Sequence, residues 1–460
     1  MSTVLSMPIA GNVVRIAPNE LSFSDPKAWE DIYNSKGLTM ERHEILRAQV
    51  RNYSGMNASI MQALCHTKDH ARHRRALAYP FSNSGVGAQQ QLVINKVKTL
   101  ISWIQNSASK QQPVEVTSWF GYLTMDIIGD WLFGKTFGCL DGGGPTEWSV
   151  AMIRAFESST YENAIQLIFG MHTWISAVVQ YLLLPREPER WRKIHFLNCI
   201  QATKQRMSDG PGQHKDVMHF LLKGEAERSG LTEREILLNM PVLVLAGSET
   251  TAGALSGLVY FLATHPKVYA RLAKEIRGRF GSTESIDFTG VQPTNLPYLD
   301  ACIRESLRCL PPQTNPSLRV VPPGGATICG ESVHAGCTVS VSSFAMTHLD
   351  RNFTRPIEFR PERWVARDDV DWTDDFATDQ LDASQPFLLG PRQCLGLHLA
   401  WFEIRITIVY IICHFDFALA NVEKSREDWT AADDFRHFRG LKTWLKPKLP
   451  IVFTPVAPAK

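Results

Sequence analysis

The sequence predicts a mainly helical protein with small β-sheets, an α+β chain in which helices dominate. Apolar residues recur at helical spacing through residues 86–230, with short breaks at 142–145 and 209–212. A Thr-x-x-Glu capping box at residues 232–235 then opens an apolar helix of roughly 30 residues. Three stretches are predicted to be short strands: residues 13–23, 339–344 and 449–453. A chain of 460 residues can form one large domain or two to three average ones.

Composition and charge exclude several classes of protein. Apolar residues make up 44% of the chain, which is ample for a large core. The 48 Lys and Arg residues against 46 Asp and Glu give a net charge of +2, so nothing points to a nucleic-acid partner. Nine cysteines without a C-x-x-C pair argue against a disulfide framework or a zinc site and fit a reducing compartment. The acidic segment 368–382 is predicted to be a solvent-exposed loop.

No membrane-spanning segment is expected at the amino terminus. Residues 1–10 are shorter than the run of about 20 apolar residues that spans a bilayer, and they lack the pattern of a signal peptide. The apolar stretch 164–184 contains Gln166 and Gln180 and is interpreted as core. An amphipathic segment that rests on a membrane is the alternative.

The amino-terminal part begins with a strand, a turn and a second strand, after which Asp25-Pro26 opens a short helix. Residues 48–68 have weak periodicity and are predicted to be a loop. The basic run 69–75 comes next, and within it His70 and Arg74 are four residues apart, hence on one helical face. By itself such a run is typical of a solvated helix surface.

The middle of the long helix contains unusual residues for a core. Pro241 should remove one backbone hydrogen bond and kink the first third of the helix. Further on, Glu249 precedes Thr250, which shares a face with the small residues Ala246 and Gly247. A buried acid beside hydroxyls is poor for local stability unless the site is used. A kinked core helix, in which the threonine bonds back to its own turn, is the alternative.

A further helix is predicted over residues 297–310, and it carries Glu305 and Arg308 three residues apart. Alone, this spacing usually marks a surface ion pair. Arg319 follows in a predicted strand, and Arg363 lies in the run Pro-Glu-Arg-Trp.

Residues 385–397 form a loop rich in glycine and proline that runs into an apolar helix. The cysteine of this loop precedes the first helical turn, where free backbone N–H groups and the helix dipole favour thiolate over thiol. The two glycines leave room for a flat ligand, and the arginine could pair with an anionic group. A lone cysteine beside a glycine is more often a buried structural residue, but here a longer pattern, Phe-x-x-Gly-x-Arg-x-Cys-x-Gly, is complete. It is filled by Phe387, Gly390, Arg392, Cys394 and Gly396.

This pattern resembles the haem-binding loop of the cytochrome P-450 family, in which the cysteine thiolate is the axial ligand of the iron. The Ala-Gly-x-Glu-Thr run, the Glu-x-x-Arg helix and Pro-Glu-Arg-Trp are similar to other family motifs and occur in family order. The resemblance implies one large, mostly helical catalytic domain over residues 1–460, with haem b between the oxygen-activation helix 232–264 and the haem-binding loop 385–397. The opening hairpin looks like that of fungal members, and we expect a member without the usual amino-terminal membrane anchor.

The resemblance also implies roles for individual residues. Cys394 would bind the haem iron, and Glu249 and Thr250 would carry protons during oxygen activation. Contacts to the haem, including its propionates, are implied for a second group: His70, Arg74, Ala246, Gly247, Arg319, Phe387, Gly390, Arg392 and Gly396. A buried structural network around the haem core is implied for three more: Glu305, Arg308 and Arg363.

The function implied by the resemblance is that of a haem-thiolate monooxygenase in fungal secondary metabolism. Such an enzyme hydroxylates or epoxidises a lipophilic small molecule with O2 and with NADPH-derived electrons from NADPH-cytochrome P-450 reductase. The same haem site could instead catalyse oxidative coupling, desaturation or rearrangement without net oxygen insertion. A non-catalytic haem-binding sensor is a third hypothesis. We expect a monomer at the cytosolic face of the endoplasmic reticulum if the native protein has an anchor, and in the cytoplasm as written, with peripheral membrane contact as an option.

The substrate is less defined. By resemblance, five largely apolar segments would line its pocket: residues 54–64, 155–174, 242–246, 313–318 and 441–444. Gln313, Asn315 and Ser317 are candidate hydrogen-bonding groups that would orient the substrate. The apolar lining suggests a natural product of polyketide, terpenoid or indole type.

Overall fold

The computed structural model describes residues 11–34, 40–43, 67–170, 173–184, 187–212, 215–223, 230–313, 316–370, 372–430, 437–440 and 443–456. The predicted loop 48–68 lies almost entirely outside the described residues, as do the pocket segment 54–64 and Asn315. The helices are α1 (Lys27–Trp29), α2 (Thr67–Ala78), α3 (Asn83–Ala88), α4 (Gln90–Ser109), α5 (Val116–Phe133), α6 (Glu147–Phe169), α7 (Trp174–Leu183), α8 (Glu187–Ser208), α9 (Val217–Leu222), α10 (Glu233–Thr264), α11 (Pro266–Arg279), α12 (Pro297–Cys309), α13 (Ser343–Thr347), α14 (Leu397–His414) and α15 (Val422–Trp429). The strands are β1 (Val13–Ala17), β2 (Glu20–Phe23), β3 (Glu41–Arg42), β4 (Val114–Glu115), β5 (Arg319–Val320), β6 (Ala326–Ile328), β7 (Glu331–Val333), β8 (Thr338–Val341), β9 (Phe415–Leu419), β10 (Arg439–Gly440), β11 (Trp444–Leu445) and β12 (Pro450–Pro455). The predicted class, mainly helical with small sheets, is confirmed.

The long helix α10 is the centre of the helical layer, where it packs on α5, α8, α12 and α14. Its start is the predicted capping box, because the Thr232 hydroxyl accepts from the Glu235 N–H and the Glu235 carboxylate accepts from the Thr232 N–H. Pro241 lies inside the helix, and its carbonyl oxygen is 3.1 Å from Nε2 of His195 on α8. Because Nδ1 of that imidazole accepts from the Trp148 indole, Nε2 is the nitrogen that donates to the proline carbonyl.

Two of the described helices, α10 and α14, are long and apolar enough to cross a bilayer. Their apolar windows are 61% and 67% buried inside the protein. Both helices pack against each other in the main apolar cluster, so they are core helices of the fold.

Within the described residues, the strands form a five-stranded sheet of order β1-β2-β8-β5-β3 and three smaller sheets. Within the large sheet β2 pairs in parallel with β8, so that the start of the chain lies beside a segment close to the cysteine loop. The strand predicted over 339–344 ends earlier, at Val341. The Ser342 side chain caps α13 by accepting from the Ala345 N–H, which places Phe344 in a helix.

The amino-terminal segment supports the cysteine loop from behind. The Trp29 indole donates to the carbonyl of Ala383 (3.0 Å), just before the loop. The Tyr33 hydroxyl donates to the Ser317 carbonyl (2.9 Å) and accepts from the Val341 N–H (3.1 Å). These bonds connect α1 and the turn after it to the sheet and to the residues that precede the loop.

The interpretation of residues 164–184 as core is wrong. The end of α6 and most of α7 expose large apolar side chains, among them Ile168 (73% exposed), Trp174 (76%) and Tyr181 (73%). The helices predicted from the spacing of the stretch are present. Many of their apolar side chains are nevertheless exposed, because few elements cover them. A patch of this kind on a protein surface is typical of an interaction site. We call it the α6–α7 patch; its exposed large apolar members are Tyr161, Leu167, Ile168, Phe169, Trp174, Ile175, Val178, Tyr181, Leu182 and Leu183.

Candidate active site

A cavity of about 250 Å³ lies between α10, α14 and the cysteine loop. Nine of the residues selected from the sequence line it: His70, Arg74, Ala246, Gly247, Thr250, Phe387, Arg392, Cys394 and Gly396. The apolar part of its wall includes Leu399 and Ile404 of α14, together with Phe81, Ile128 and Leu307 from other parts of the chain. Glu249, Arg319 and Gly390 lie outside the cavity lining.

The cysteine loop is closed by its own backbone. The Cys394 N–H donates to the Phe387 carbonyl (2.9 Å), and the Gln393 N–H donates to the Gly390 carbonyl (3.0 Å). Leu388 and Gly390 have positive φ angles of 61° and 72°, which produce the reversal that brings the two ends together. The thiol is thereby fixed at the cavity wall, ahead of α14.

The expectation that Cys394 favours the thiolate is wrong for the protein alone. Cys394 is accessible from the cavity that it lines, and desolvation by the surrounding protein raises the pKa of its thiol. The Gly396 backbone N–H and the Arg74 guanidinium each lower the pKa without offsetting the effect of burial. A metal ion would reverse the balance, because a coordinated thiol loses its proton outright.

Two of the three glycines selected from the sequence serve contacts within the protein. At Gly390 a side chain would overlap the Tyr33 carbonyl oxygen, so this glycine serves the contact between the loop and the amino-terminal segment. A Cβ at Gly247 would lie 2.7 Å from Cδ1 of Ile128, so the glycine permits α10 to approach α5. At Gly396 the space is open, as the predicted approach of a flat ligand requires.

One end of the cavity is strongly cationic. Burial and the nearby guanidinium groups lower the pKa of His70 to about 3. The contributing arginines, in decreasing order, are Arg392, Arg42, Arg74 and Arg319. Four positive charges around a neutral imidazole form a site for an anion, and arginine is well suited to bind carboxylates.

Two of these arginines have distinct environments. Arg319 is 2% exposed; it donates to the Ser317 hydroxyl (2.9 Å) and lies over the Tyr33 ring, behind the cavity wall. Arg42 lines the cavity itself from the short strand β3. Arg42 could not be selected from the sequence, because a single arginine in a two-residue strand belongs to no motif.

On the α10 side, Thr250 lines the cavity and its hydroxyl donates to the Ala246 carbonyl (2.8 Å). This is the back-bonded arrangement weighed as an alternative, in which the hydroxyl oxygen still keeps acceptor capacity toward the cavity. Glu249 is the residue before Thr250 and therefore lies on a different side of the helix. Its carboxylate pairs with Lys446 (3.3 Å). The acid and the hydroxyl are therefore adjacent in the chain, but the acid is turned away from the cavity.

The Glu305 carboxylate is fully buried and completely paired. It accepts from both Arg308 (2.8 Å) and Arg363 (3.0 Å), as well as from the Trp364 indole (2.8 Å). Burial acts to raise the pKa of Glu305, but the two arginines outweigh it and the net shift is downward. Arg308 also donates to three backbone carbonyls, those of Thr347, Pro356 and Glu358.

The acidic segment 368–382 is only partly the exposed loop that was expected. The Asp379 side chain is 1% exposed and forms an ion pair with Arg363. Phe376 is buried beneath the same guanidinium group, with its ring centre 4.5 Å from Cζ of Arg363. Glu305 is shared between Arg308 and Arg363, so one carboxylate faces two positive charges. Asp379 provides the second negative charge.

The residues around the cavity fit a haem group. A thiol is available as an iron ligand on one side, the cationic end suits two propionate carboxylates, and the wall between them is apolar. The open space at Gly396 and the small Ala246 leave room for a flat macrocycle between α10 and the loop. This combination of donors defines a haem-thiolate protein.

Comparison with known proteins agrees with this class. The family model for cytochrome P450 matches residues 21–432, and the chain belongs to the cytochrome P450 family. It is 47% identical over 442 residues to cytochrome P450 monooxygenase abl2 of Leptosphaeria maculans, covering 96% of this chain and 80% of that protein. Cytochrome P450 monooxygenase aba2 of Botryotinia fuckeliana is 38% identical over 444 residues, covering 95% and 82%. Averantin hydroxylase of Dothistroma septosporum is 34% identical over 419 residues, covering 91% and 76%.

The chain is therefore a haem-thiolate monooxygenase of the kind found in fungal secondary metabolism, an oxidoreductase that incorporates oxygen from O2. Haem b with a cysteine axial ligand is the general property of the family. Members act on lipophilic substrates with electrons from a redox partner.

Proposed function

We propose that this monooxygenase hydroxylates a lipophilic natural product, with residues 1–460 as one catalytic domain. The observation that carries the proposal is the mainly apolar cavity that both Cys394 and Thr250 line. The name of one relative, averantin hydroxylase, favours hydroxylation over epoxidation. Oxidative coupling, desaturation or rearrangement on the same site is the second candidate. Incubation under isotopically labelled O2 separates the two, because only hydroxylation places the label in the product.

The residues of the cavity have separate proposed functions. Cys394 of the haem-binding loop 385–397 would hold the iron. Arg392 of the same loop, with Arg74 and Arg42, would bind the propionates, and Arg319 would add charge from behind. When bound, haem supplies the oxygen-activating redox chemistry, and a thiolate ligand favours O–O cleavage. The protein orients the substrate and controls access of water.

Proton delivery is proposed for the oxygen-activation helix 232–264. The Thr250 hydroxyl lies at the cavity wall, where it can accept and pass on a proton, and Glu249 brings protons from the solvent side. Thr250→Ala should retain haem and substrate binding but release more hydrogen peroxide per NADPH consumed. Unchanged coupling in this variant would contradict the relay.

We propose NADPH-cytochrome P-450 reductase as the electron donor, docked beside the start of α14. A groove of about 200 Å³ lies there, and its lining includes His398, Trp401, Arg304 and Arg405. Both guanidinium groups lie against the Trp401 ring (5.5 and 4.5 Å), and they share a single acid, Asp300. The groove thus carries two guanidinium groups that share one described acid, which suits an acidic partner.

We also propose that the α6–α7 patch rests on the cytosolic face of the endoplasmic reticulum membrane, with the protein as a monomer. Trp174 and Tyr181 are the residue types that favour the interface between headgroups and hydrocarbon. Peripheral contact through this patch would give a lipophilic substrate a short path from the bilayer to the protein.

The experiment that tests the haem site is the carbon monoxide difference spectrum of the dithionite-reduced protein. The wild-type protein should give the strongly red-shifted Soret band of thiolate ligation, and Cys394→Ala should lose that band. Cys309→Ala is the matched control, because Cys309 is a buried cysteine of α12 that does not line the cavity. An unchanged spectrum in Cys394→Ala would refute the assignment of the ligand.

A further inference from the structure

The helix α2 contacts a second site besides the cavity. His70 and Arg74 line the cavity, whereas Arg72 and His73 reach the start of α10. There both side chains meet one carboxylate, that of Glu235. A helix advances by about 100° per residue, so Arg72 lies on the side of α2 away from the cavity. The basic run that contains these residues is therefore divided between two sites.

The Glu235 carboxylate is bonded on both of its oxygens. Arg72 donates to Oε1 (2.5 Å) and to Oε2 (2.9 Å), the bidentate arrangement that an arginine forms with a carboxylate. The same guanidinium donates to the Gly230 carbonyl. Oε2 of Glu235 also accepts from the Thr232 N–H (2.8 Å), so the capping box and the ion pair share one acid. The pKa of Glu235 is lowered to about 2, and Arg72 makes the largest contribution.

His73 is fully buried, and its neighbours define its tautomer. The Asn239 amide group donates to the Glu235 carbonyl (2.6 Å) and to Nδ1 of His73 (3.1 Å). Because Nδ1 accepts, Nε2 carries the hydrogen of the imidazole and donates it to Oε1 of Glu235 (3.2 Å). Burial lowers the pKa of His73, which keeps the ring neutral. A histidine and an arginine of α2 are thus held by the same acid of α10.

The cavity side of α2 is electrostatically unfavourable for the helix. It faces the cationic end of the cavity, formed by His70, Arg74, Arg392 and Arg42. Burial lowers the pKa of Arg74, and burial together with the nearby arginines lowers that of His70 to about 3. Repulsion among the guanidinium groups therefore acts to move α2 away from the cavity. Glu235 is a negative charge on the other side of the helix, and its bonds to α2 oppose that movement.

We propose that Glu235 is a positioning residue for haem binding, which holds α2 in place through Arg72 and His73. The helix then presents Arg74 to the propionates, so the inference rests on the proposed function of that arginine. Because the same carboxylate caps α10, it fixes two of the helices that surround the haem relative to each other. The cationic end of the cavity is thereby assembled before the propionates neutralise it.

The test compares Glu235→Gln, Arg74→Met and the double variant Glu235→Gln/Arg74→Met. Glutamine at this position still completes a capping box, so the start of α10 is retained while the charge that faces α2 is lost. Its NH2 group would face the donors of Arg72 and His73. We expect Glu235→Gln to speed transfer of haem from the holoprotein to an acceptor apoprotein about tenfold, as the loss of a hydrogen bond to a charged group implies. Glu233→Gln is the matched control, because it removes an exposed acid from the same first turn.

A spectroscopic readout separates positioning from stability. The propionate bending bands of the resonance Raman spectrum should shift in Glu235→Gln but not in Glu233→Gln, whereas a general loss of stability lowers the urea midpoint and leaves these bands unchanged. In the double variant haem should leave no faster than in Arg74→Met, because both changes act on the same contact. Arg72→Met removes the α2 side of the ion pair, keeps the cap intact, and replaces Glu235→Gln if that variant does not fold.

The possible outcomes distinguish the inference from the propionate assignment beneath it. Normal haem retention and unchanged bands in Glu235→Gln, with rapid loss of haem from Arg74→Met, would overturn the inference and leave the propionate site intact. Additive effects in the double variant would also overturn it, since Glu235 would then act on stability alone. Normal haem retention in Arg74→Met would remove the assignment of the propionates, and the inference with it.

Discussion

Replacing Glu305 by glutamine should destabilise the protein severely, because no other described carboxylate is so densely bonded. Its two oxygens accept six hydrogen bonds: from Arg308 (twice, 2.8 Å), from Arg363 (3.0 Å), from the Arg360 N–H (2.8 Å), from the Trp364 indole (2.8 Å) and from the Cys309 thiol (3.9 Å). Glutamine keeps the shape but turns one oxygen into an NH2 group that faces only donors. It also leaves two buried guanidinium groups with one acid, Asp379, between them.

The expected loss is about 3–5 kcal/mol of the free energy of unfolding, the range found when one partner of a buried ion pair is removed. A whole domain is stable by only about 5–15 kcal/mol, so the variant should lose a large share of its stability. Urea denaturation of wild-type and variant holoprotein measures the difference.

Glu358→Gln is the matched control for this prediction. The Glu358 side chain is 39% exposed and pairs with Arg360 (2.8 Å) at the surface, where such a pair contributes about 1 kcal/mol or less. A loss below about 1 kcal/mol for Glu305→Gln would refute the view that this network is held by charge. Because the pKa of Glu305 is lowered on folding, its contribution is present at neutral pH and disappears as the pH falls through the folded value. The variant should therefore have a flatter stability profile in acid.

Three other substitutions test different parts of the fold and site. The pKa of His195 is lowered by burial from 6.5 to about 4, so the unfolded chain takes up the proton first and stability falls below pH 6.5. Between pH 7.5 and 5 the wild-type protein should lose about 2 kcal/mol of its free energy of unfolding through this histidine, and His195→Gln should not. The plot of unfolding free energy against pH should therefore be flatter for the variant, and parallel plots would contradict this. Gly390→Ala should destabilise by more than about 1–3 kcal/mol, because it combines a positive φ with a backbone clash. Gly278→Ala, on an exposed helix position with open space, should instead be neutral or stabilising in the same denaturation assay, and equal effects would refute the reasoning. Arg74→Met should speed transfer of haem to an acceptor apoprotein about tenfold or more, whereas the exposed neighbour Arg75→Met should not.

Local signals predicted the framework well. The capping box at Thr232 fixed the start of α10, and the apolar spacing after Cys394 indicated α14. These features depend on residues close in sequence, where helix periodicity and capping chemistry act directly. The motifs also placed nine selected residues on one cavity, since each motif carries its own local geometry.

The errors have a common physical cause, which is contact between distant segments. Whether Gly390 accommodates a ligand or a backbone depends on Tyr33, and the burial of Asp379 depends on Arg363. The exposure of α7 depends on how few elements cover it. The partner of Glu249 is Lys446, almost two hundred residues away, and neither residue indicates the other by spacing.

The parallel pairing of β2 with β8 sets an order of events during synthesis on the ribosome. Glu20 to Phe23 pair with Thr338 to Val341, roughly 300 residues later, which at about 5–20 residues per second means a delay of about 15–60 s. Until then β2 pairs only with β1, and the cysteine loop, which follows β8, has not yet been synthesised. The haem site is thus among the last parts to be assembled, because its loop is synthesised after β8, the strand with which β2 pairs.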